Sequence, residues 1–246
     1  MSRLFTNIYP IINLYKKMSV NSEIVSQMIY GESFSILKKT SKWIKIKMKE
    51  DNYKGYVQNK IFNVYIKPTH KICRLKASIY KFPNKKIKIS ELSFGSKIRV
   101  IKKKFKFFKF DKGWVSQNQI KDINYREKNI FKGIEIFKNV KYKWGGKSFK
   151  GIDCSALVQI FFNFNNKFCP RDAKDQFNFL KKNRKVKNIK KNCIVYWKGH
   201  VAVALSNSKL IHAYGPLKKT VVMGKNETID RIARTANLNV IGVKFI

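Results

Sequence analysis

The chain has 246 residues, with 54 Lys or Arg against 14 Asp or Glu, and its formal net charge is +40. Hydrophobic residues make up 44% of the sequence and aromatic residues 14%, enough to fill packed cores, which excludes a disordered basic tail. No run of about 18 apolar residues occurs, so we expect no membrane-spanning helix. Polar residues interrupt the apolar ones near the N-terminus and no signal cleavage site follows, so we expect a cytoplasmic protein.

The excess of basic residues favours affinity for polyanions, because neutralisation of phosphates dominates binding to nucleic acids. Only 8 of the 54 basic residues are Arg, and Lys is spread along the whole chain. A dedicated nucleic-acid reader uses more Arg, whose guanidinium makes bidentate contacts with phosphates and bases. We therefore expect a compositional bias toward Lys, with only non-specific binding of nucleic acid.

The first half of the chain contains two similar stretches. Gly31–Lys39 is followed by Gly55–Val57, and Gly95–Lys103 is followed in the same way by Gly113–Val115. Both halves show alternating apolar and polar residues, as in Trp43–Met48, with turn residues at short intervals. A repeat of about sixty residues built from such strands predicts two small β-barrels in tandem.

The spacing of apolar residues becomes helical after the second repeat. Four apolar residues share one face of a predicted helix over 129–137. A second helix is predicted from Asp153, the expected N-cap, as far as Phe164. A third, short helix is predicted over 172–180.

The last part of the chain alternates again and predicts strands. They are expected over 193–197, 200–205, 209–214, 220–223 and 239–246. Helices followed by antiparallel strands indicate an α+β domain. The sequence therefore predicts a first barrel over 1–66, a second barrel over 67–122 and an α+β domain over 123–246.

Cys154 is the candidate nucleophile. It lies in the first turn of the second predicted helix, directly after a Gly-rich loop. Free backbone N–H groups at a helix start stabilise a thiolate, so we expect the pKa of Cys154 to be lowered. Cys73, Cys169 and Cys193 form no CxxC pair and are expected to be inert, reduced thiols.

His200 and His212 are the candidate partners of this thiol. The chain has three histidines, and these two lie on successive strands of the domain that holds Cys154. A hairpin that turns at Ser206–Ser208 brings them close together, so that one can accept a proton while the other orients it. With Asp153 as a fourth ligand, the same three side chains form a possible zinc site. Zinc sites usually show shorter ligand spacing, so we favour thiol catalysis.

A set of motifs in residues 125–246 resembles a known family. The motifs are Tyr142-Lys-Trp-Gly-Gly146, Gly151-Ile-Asp-Cys-Ser155, Pro170-Arg171 with Gln176, His200-Val201 and Ile211-His212-Ala213. In this combination they resemble the NlpC/p60 cysteine peptidases, which are papain-like hydrolases of cell-wall peptides. The two repeats in front resemble the bacterial SH3-like modules of the γ-D-glutamyl-L-diamino acid endopeptidases of this family. The resemblance implies an α+β, papain-like catalytic domain preceded by two small SH3-like β-barrels.

The resemblance also implies a role for each catalytic side chain, and no cofactor. Cys154 attacks the peptide carbonyl, and His200 takes its proton and later gives it to the leaving amine. His212 holds the ring of His200 in its tautomer. The backbone N–H of Cys154 and the phenol of Tyr142 are the candidate donors to the developing oxyanion.

The implied substrate is a murein peptide with a free N-terminal L-Ala followed by γ-D-Glu. Asp153 and Ser155 flank the nucleophile and suit the binding of an ammonium group. Tyr53 and Glu23 of the first barrel match residues that line the cleft in the family, and Trp144 is expected to form a wall of the pocket. Such a pocket fits released peptides, so we expect a role in cell-wall recycling.

Two other functions compete with this hypothesis. The Lys- and Phe-rich segment Lys102–Phe110 could belong to a non-catalytic module that binds nucleic acid or an acidic wall polymer. The same alternation is typical of a half-buried strand with one solvated face, which we favour. A thiol amidase or acyltransferase on the same fold is the third hypothesis, and only substrate screening distinguishes it from the first.

Overall fold

The computed structural model describes residues 3–181 and 183–245. Its first unit is one antiparallel sheet. Its strands are β1 (Leu4–Thr6), β2 (Ile11–Tyr15), β3 (Ile24–Ile29), β4 (Ser33–Lys39), β5 (Trp43–Met48), β6 (Lys54–Gln58) and β7 (Asn63–Val64). They lie in the order β3-β2-β6-β5-β4-β1-β7. In β5, Ile44, Ile46 and Met48 point into the core while the residues between them face outward, as the alternation predicts.

The second unit has two smaller antiparallel sheets, ordered β10-β9-β14-β13-β12 and β11-β8-β15. Its strands are β8 (His70–Ile72), β9 (Lys76–Tyr80), β10 (Lys88–Ser93), β11 (Lys97–Ile98), β12 (Lys102–Lys104), β13 (Phe107–Phe110), β14 (Gly113–Ser116) and β15 (Ile120–Asp122). The single strand expected over Lys102–Phe110 is wrong, because the chain turns at Phe105, whose φ is +50°, and forms a β12–β13 hairpin. Among the described strands, neither unit closes its sheets into a barrel.

The third unit is an antiparallel sheet, ordered β18-β23-β19-β20-β21-β22, with helices packed on it. Its elements are β16 (Lys147–Ser148), β17 (Gly151–Ile152), α1 (Cys154–Phe164), α2 (Ala173–Phe179), β18 (Asn183–Arg184), β19 (Ile194–Trp197), β20 (His200–Ala204), β21 (Lys209–Tyr214), β22 (Lys219–Gly224), α3 (Lys225–Ala236) and β23 (Gly242–Lys244). Helix α1 packs on β20 and β21, and its apolar residues share a core with Val201, Val203 and Ile211. This α+β unit confirms the predicted fold class.

One helical prediction in the third unit is wrong, and one helix was not predicted. Residues 129–137 contain only a 3₁₀ turn at Ile134–Phe137, because Gly133 adopts φ +77° and interrupts the helix. The four apolar residues of the predicted face are nevertheless buried: Ile130, Phe131, Ile134 and Phe137. Helix α3 was not predicted because it has few apolar residues, and it buries only Thr228 and Ile232.

Buried polar contacts join the first unit to the third. Lys147 Nζ lies 2.7 Å from Glu32 Oε1, and both side chains are almost fully buried. Gln159 of α1 donates to Asp51 at 2.9 Å, also in the interior. The predicted limits 1–66, 67–122 and 123–246 stay predictions, although no sheet among the described strands crosses them. No helix within the described residues has the length and apolarity that crossing a membrane requires.

Candidate active site

Cys154 is the first residue of α1, at the point where the helix meets the sheet. Asp153 is the N-cap and accepts a hydrogen bond from the Ala156 N–H at 2.8 Å, which confirms the predicted helix start. The thiol side chain is 7% exposed. Backbone N–H groups of Ser155 and Val201 donate to the sulfur, so Cys154 lies against the beginning of β20, where His200 is located.

His200 and His212 form a hydrogen-bonded pair, as the hairpin predicts. Nε2 of His200 lies 2.8 Å from Nδ1 of His212, and strands β20 and β21 pair through Val203 and Ile211. This contact occupies Nε2 of His200 and leaves Nδ1 to accept a proton. In the tautomer that allows this, His200 donates its Nε2–H to Nδ1 of His212.

The ionisation of this triad differs from the expectation. Burial raises the pKa of the Cys154 thiol to about 12, and the charge of Asp153 acts in the same direction. The backbone N–H groups at the sulfur lower the pKa by less than burial raises it. Burial also lowers the pKa of His200 to about 4. Burial, with a smaller effect of His200, lowers the pKa of His212 to about 3. At neutral pH the resting site therefore holds a neutral thiol and two neutral imidazoles.

Alkylation of Cys154 by iodoacetamide is accordingly expected to be slow at pH 7 and to accelerate with rising pH to beyond pH 10. The physical reason is that only the thiolate reacts, and its fraction grows about tenfold per pH unit below the pKa. The rate is followed by mass spectrometry of the peptide that contains Cys154, with the Cys154→Ala protein as the control for labelling elsewhere. A rapid, pH-independent rate between pH 5 and pH 8 would show a preformed thiolate–imidazolium pair and contradict this prediction.

Arg171 holds the start of α1 in place. Its Nη1 and Nη2 donate to the two carboxylate oxygens of Asp153 at 3.0 and 2.6 Å, and Nη1 also donates to Ser155 Oγ at 2.9 Å. Its Nε donates to Ser26 of the first unit at 3.0 Å. Sequence reasoning included Arg171 in a motif but assigned it no role. Arg is scarce in this chain, and unlike Lys it can form two coplanar hydrogen bonds with one carboxylate. An Arg within the motif was therefore a usable signal for a pair with an acidic residue.

The Gly-rich loop before α1 packs closely against the first unit. Gly145 has φ +70°, and a Cβ there would lie 2.2 Å from the backbone oxygen of Ile24, so no other residue fits. Its N–H donates to Asp153 Oδ2 at 2.9 Å. The next side chain back, Trp144, is 61% exposed and donates from Nε1 to Glu23 Oε1 at 2.8 Å.

These contacts border a cleft of about 440 Å³ between the first and third units. It is lined by six of the nine predicted site residues: Glu23, Tyr53, Trp144, Asp153, Cys154 and Ser155. Neither histidine lines the cleft: His212 is buried, and His200, which directly follows the lining residue Gly199, is half-buried. The structure thus brings residues of both units to one cavity.

Asp153, a predicted ligand of a substrate ammonium, and Glu23, predicted to line the cleft, differ in availability. Both oxygens of Asp153 accept hydrogen bonds from Arg171, and they also accept from Ala156, Ser155 and Gly145. Asp153 is therefore occupied and stabilises the start of α1. Glu23 is exposed and pairs with Lys16 at 3.0 Å. Hydrogen bonds from Lys16 and then Trp144 lower the pKa of Glu23, so it is ionised. An exposed ion pair of this kind is weak, so an incoming ammonium can replace Lys16.

Tyr53 and Tyr142 are both half-buried. Burial raises the pKa of Tyr53, as does the charge of Asp172, with which its phenol forms a hydrogen bond. Burial raises the pKa of Tyr142, with smaller effects of Cys154 and Asp153, so its phenol stays a donor near the sulfur. Among the described residues the N–H of Cys154 has no hydrogen-bond partner. Both predicted oxyanion donors are therefore free to donate.

The described residues contain no group of three or more His, Cys, Asp or Glu side chains that could hold a metal ion. All four cysteines are free thiols.

Comparisons with known proteins agree with this arrangement. Residues 139–229 match the model of the NlpC/P60 family, and residues 14–60 match that of the bacterial dipeptidyl-peptidase Sh3 domain. Dipeptidyl-peptidase 6 of Lysinibacillus sphaericus is 24% identical over 231 residues, covering 82% of this chain and 84% of that protein. Gamma-D-glutamyl-L-lysine dipeptidyl-peptidase of Bacillus subtilis (strain 168) is 22% identical over 236 residues, covering 86% and 79%.

The fold is shared with a solved structure. The crystal structure of an NlpC/P60 family protein from Bacillus cereus ATCC 10987 superposes with a TM-score of 0.81 at 16% identity, covering 98% of each chain. The family match and the site together define a cysteine peptidase. Its catalytic unit is an NlpC/P60 domain, and a bacterial SH3 domain precedes it.

Proposed function

We propose that this protein hydrolyses the bond between γ-D-Glu and the following diamino acid in murein (peptidoglycan) peptides that carry a free N-terminal L-Ala. The observation that carries the proposal is the cleft, whose lining contains both Cys154 and the acidic residue Glu23. The name of the Bacillus subtilis relative, a γ-D-glutamyl-L-lysine dipeptidyl-peptidase, supports this choice of bond.

The distribution of acidic residues supports recognition of an amine. Three of the 14 acidic residues of the chain line this cleft: Glu23, Asp153 and Asp172. In a protein with 54 basic residues, such a concentration of carboxylates is not explained by composition. Because Asp153 is fully occupied, Glu23 and the Tyr53–Asp172 pair are the groups that can receive the substrate ammonium. The indole N–H of Trp144 holds Glu23 at this position.

The reaction proceeds through a thioester. Nδ1 of His200 accepts the thiol proton as the Cys154 sulfur attacks the γ-carbonyl carbon of Glu, and the carbonyl electrons move to oxygen. The N–H of Cys154 and the phenol of Tyr142 donate to that oxyanion. The C–N bond then breaks, and the amine of the diamino acid takes the proton from His200. Water, deprotonated by His200, hydrolyses the thioester and releases the acid and the thiol.

N-acetylation of the substrate is expected to prevent cleavage. Acetylation removes the positive charge that Glu23 and Asp172 would bind, which we expect to lower kcat/KM at least about 100-fold. L-Ala-γ-D-Glu-L-Lys, the diaminopimelate peptide and their N-acetyl forms are incubated with the protein, and the products are identified by mass spectrometry. Equal cleavage of free and acetylated peptides would refute the assignment of the amine site.

A matched pair of variants tests the contribution of Glu23 to substrate binding in the same assay. Glu23→Gln is expected to raise KM roughly two- to fivefold with little change in kcat, since it weakens an exposed charge contact. Glu227→Gln, an exposed acid of α3 outside the cleft, is the control and should leave both constants unchanged. Release of ammonia from a carboxamide form of the peptide, or transfer of the acyl group to an added amine in place of hydrolysis, would favour the amidase or acyltransferase hypothesis.

The proposed setting is recycling of released wall peptides in the cytoplasm, because a cleft that selects a free amine suits peptides already cut from the wall. Cell fractionation with an antibody against the protein tests this location. Nucleic acid is expected to bind only non-specifically, with retention on filters that is lost near physiological salt.

A further inference from the structure

Lys71 is a buried lysine that the proposed reaction does not use. It lies in the middle of β8 and is 1% exposed. Its Nζ donates to the backbone oxygens of Ile123 at 3.0 Å, of Tyr125 at 2.6 Å and of Phe164, while Asn166 Oδ1 is more distant at 3.5 Å. Among the described residues Lys71 forms no ion pair. The three N–H donors of an ammonium group are thus matched by three main-chain carbonyls.

The three acceptors favour the charged form of Lys71. Burial lowers the pKa of Lys71 to about 8, and the charges of Lys97 and Arg126 act in the same direction, with a smaller opposite effect of Asp122. A neutral amine has only two N–H groups and would turn its lone pair toward one of the carbonyl oxygens. Lys71 is therefore a bound cation at neutral pH.

One of these carbonyls belongs to the end of α1. Phe164 is the last residue of this helix, and Cys154 is the first. The last carbonyls of a helix have no partner within it and carry the negative end of the helix dipole, so a cation at this position is stabilising. The second unit supplies this cation. Lys71 therefore caps the helix that carries the nucleophile.

Aromatic packing supports α1 from the same unit. The ring of Phe94, which follows β10, stacks on the rings of Phe161 and Phe164, with centroids 4.9 and 4.6 Å apart. The ammonium group of Lys71 lies 4.7 Å from the centroid of the Phe164 ring. Stacking and capping together hold the last turn of α1 against the second unit.

The first and second units thus hold opposite ends of α1. At its start, Arg171 connects the N-cap Asp153 to Ser26 of the first unit. We propose that Lys71 is a positioning residue, which fixes the end of α1 to the second unit and thereby keeps Cys154 buried against β20. The second unit then acts as a support for the helix of the nucleophile. This inference rests on the proposed function in one respect, that Cys154 is the nucleophile.

A short helix transmits displacement from one end to the other. Helix α1 has 11 residues and is about 16 Å long, so a tilt at Phe164 moves Cys154 as well. Cys154 is 7% exposed, and burial is the main cause of its raised pKa. Release of the Phe164 end should therefore expose the thiol and make it more reactive.

Three variants test this role at a temperature where all of them are folded, as checked by circular dichroism. Lys71→Met keeps the length of the side chain but removes the charge and the donors, and Lys71→Gln replaces it should it not fold. Lys71→Ala leaves a cavity that propylammonium, equivalent to the missing atoms, can fill. Ile79→Ala is the control, because Ile79 is buried in a core cluster of the second unit that contains no residue of α1. It lowers stability and leaves the cap in place.

Labelling of Cys154 by iodoacetamide at pH 8 is the first measurement and needs no substrate. The rate should rise roughly three- to tenfold in the Lys71 variants, equivalent to a fall of about half to one unit in the pKa of the thiol. Propylammonium, but not 1-propanol, should return Lys71→Ala toward the native rate. Ile79→Ala should keep the native rate. Native rates in the Lys71 variants, or an equal rise in Ile79→Ala, would overturn the proposal.

Turnover of L-Ala-γ-D-Glu-L-Lys is the second measurement. In the Lys71 variants kcat should fall at least about tenfold with KM nearly unchanged, since the nucleophile is misplaced while the peptide still binds. Propylammonium should restore kcat in Lys71→Ala. Loss of turnover with native labelling would contradict the positioning of Cys154. If the native protein cleaves no murein peptide, the proposed function fails, and the labelling rates still decide the role of Lys71.

Discussion

Replacing Cys154 with Ala is expected to lower kcat/KM for peptide cleavage by about 10⁴-fold or more, since covalent catalysis then has no nucleophile. Helix α1 should persist, because its N-cap contacts come from Asp153 and do not involve the sulfur. Initial rates on L-Ala-γ-D-Glu-L-Lys measure the loss, and circular dichroism checks the fold.

The control for this substitution is Cys193→Ala. Cys193 is also buried, but it belongs to a different core cluster from Cys154 and is remote from the paired imidazoles. The Cys193→Ala substitution should lower the stability of the protein and leave kcat unchanged. His200→Ala should resemble Cys154→Ala, because without its Nδ1 no group takes the thiol proton. Substantial turnover by the Cys154 variant would remove the catalytic assignment altogether.

Arg171→Met is expected to destabilise the protein by about 3–5 kcal/mol, because it leaves the buried Asp153 carboxylate without its counter-charge. The side chain of Arg171 is 1% exposed and that of Asp153 is 8% exposed, and Arg171 Nη2 lies 2.6 Å from Asp153 Oδ2. Chemical denaturation gives the change in free energy of unfolding. Activity should fall as well, since Asp153 fixes both the start of α1 and the loop at Gly145.

Two further variants give this prediction its contrast. Arg231→Met breaks an exposed pair with Glu227 at 3.5 Å and should cost at most about 1 kcal/mol. Combining Arg171→Met with Asp153→Asn should recover part of the lost stability, because no bare charge then remains in the interior. If Arg171→Met proved as mild as Arg231→Met, the buried pair would not brace the site.

The parts of the site that follow from local signals were predictable. Helix α1 begins where Asp153 can cap it, and apolar residues recur at helical spacing behind it, so its position was readable from neighbouring residues. The contact of His200 with His212 followed from two strands and one short turn. The helix expected over 129–137 failed at Gly133, where a single left-handed residue outweighed a consistent apolar face.

Other parts depend on distant segments and could not be predicted. Arg171 contacts Asp153, 18 positions away, and Ser26, 145 positions away, and no periodicity encodes such pairings. The direction of the Cys154 pKa shift was missed for the same reason. The helix start was visible in the sequence, but the burial that outweighs it depends on tertiary packing around the thiol, where the Val201 N–H of β20 reaches the sulfur.

The buried Glu32–Lys147 pair makes the third unit depend on the first. Lys147 and the surface it occupies are completed by a carboxylate that another module supplies. Excising the peptidase portion alone would expose this surface to water and remove the partner of Lys147, whereas grafting it behind a foreign module without an acid at this position would bury an unpaired ammonium group. A replacement for the first unit must therefore carry a compatible acid.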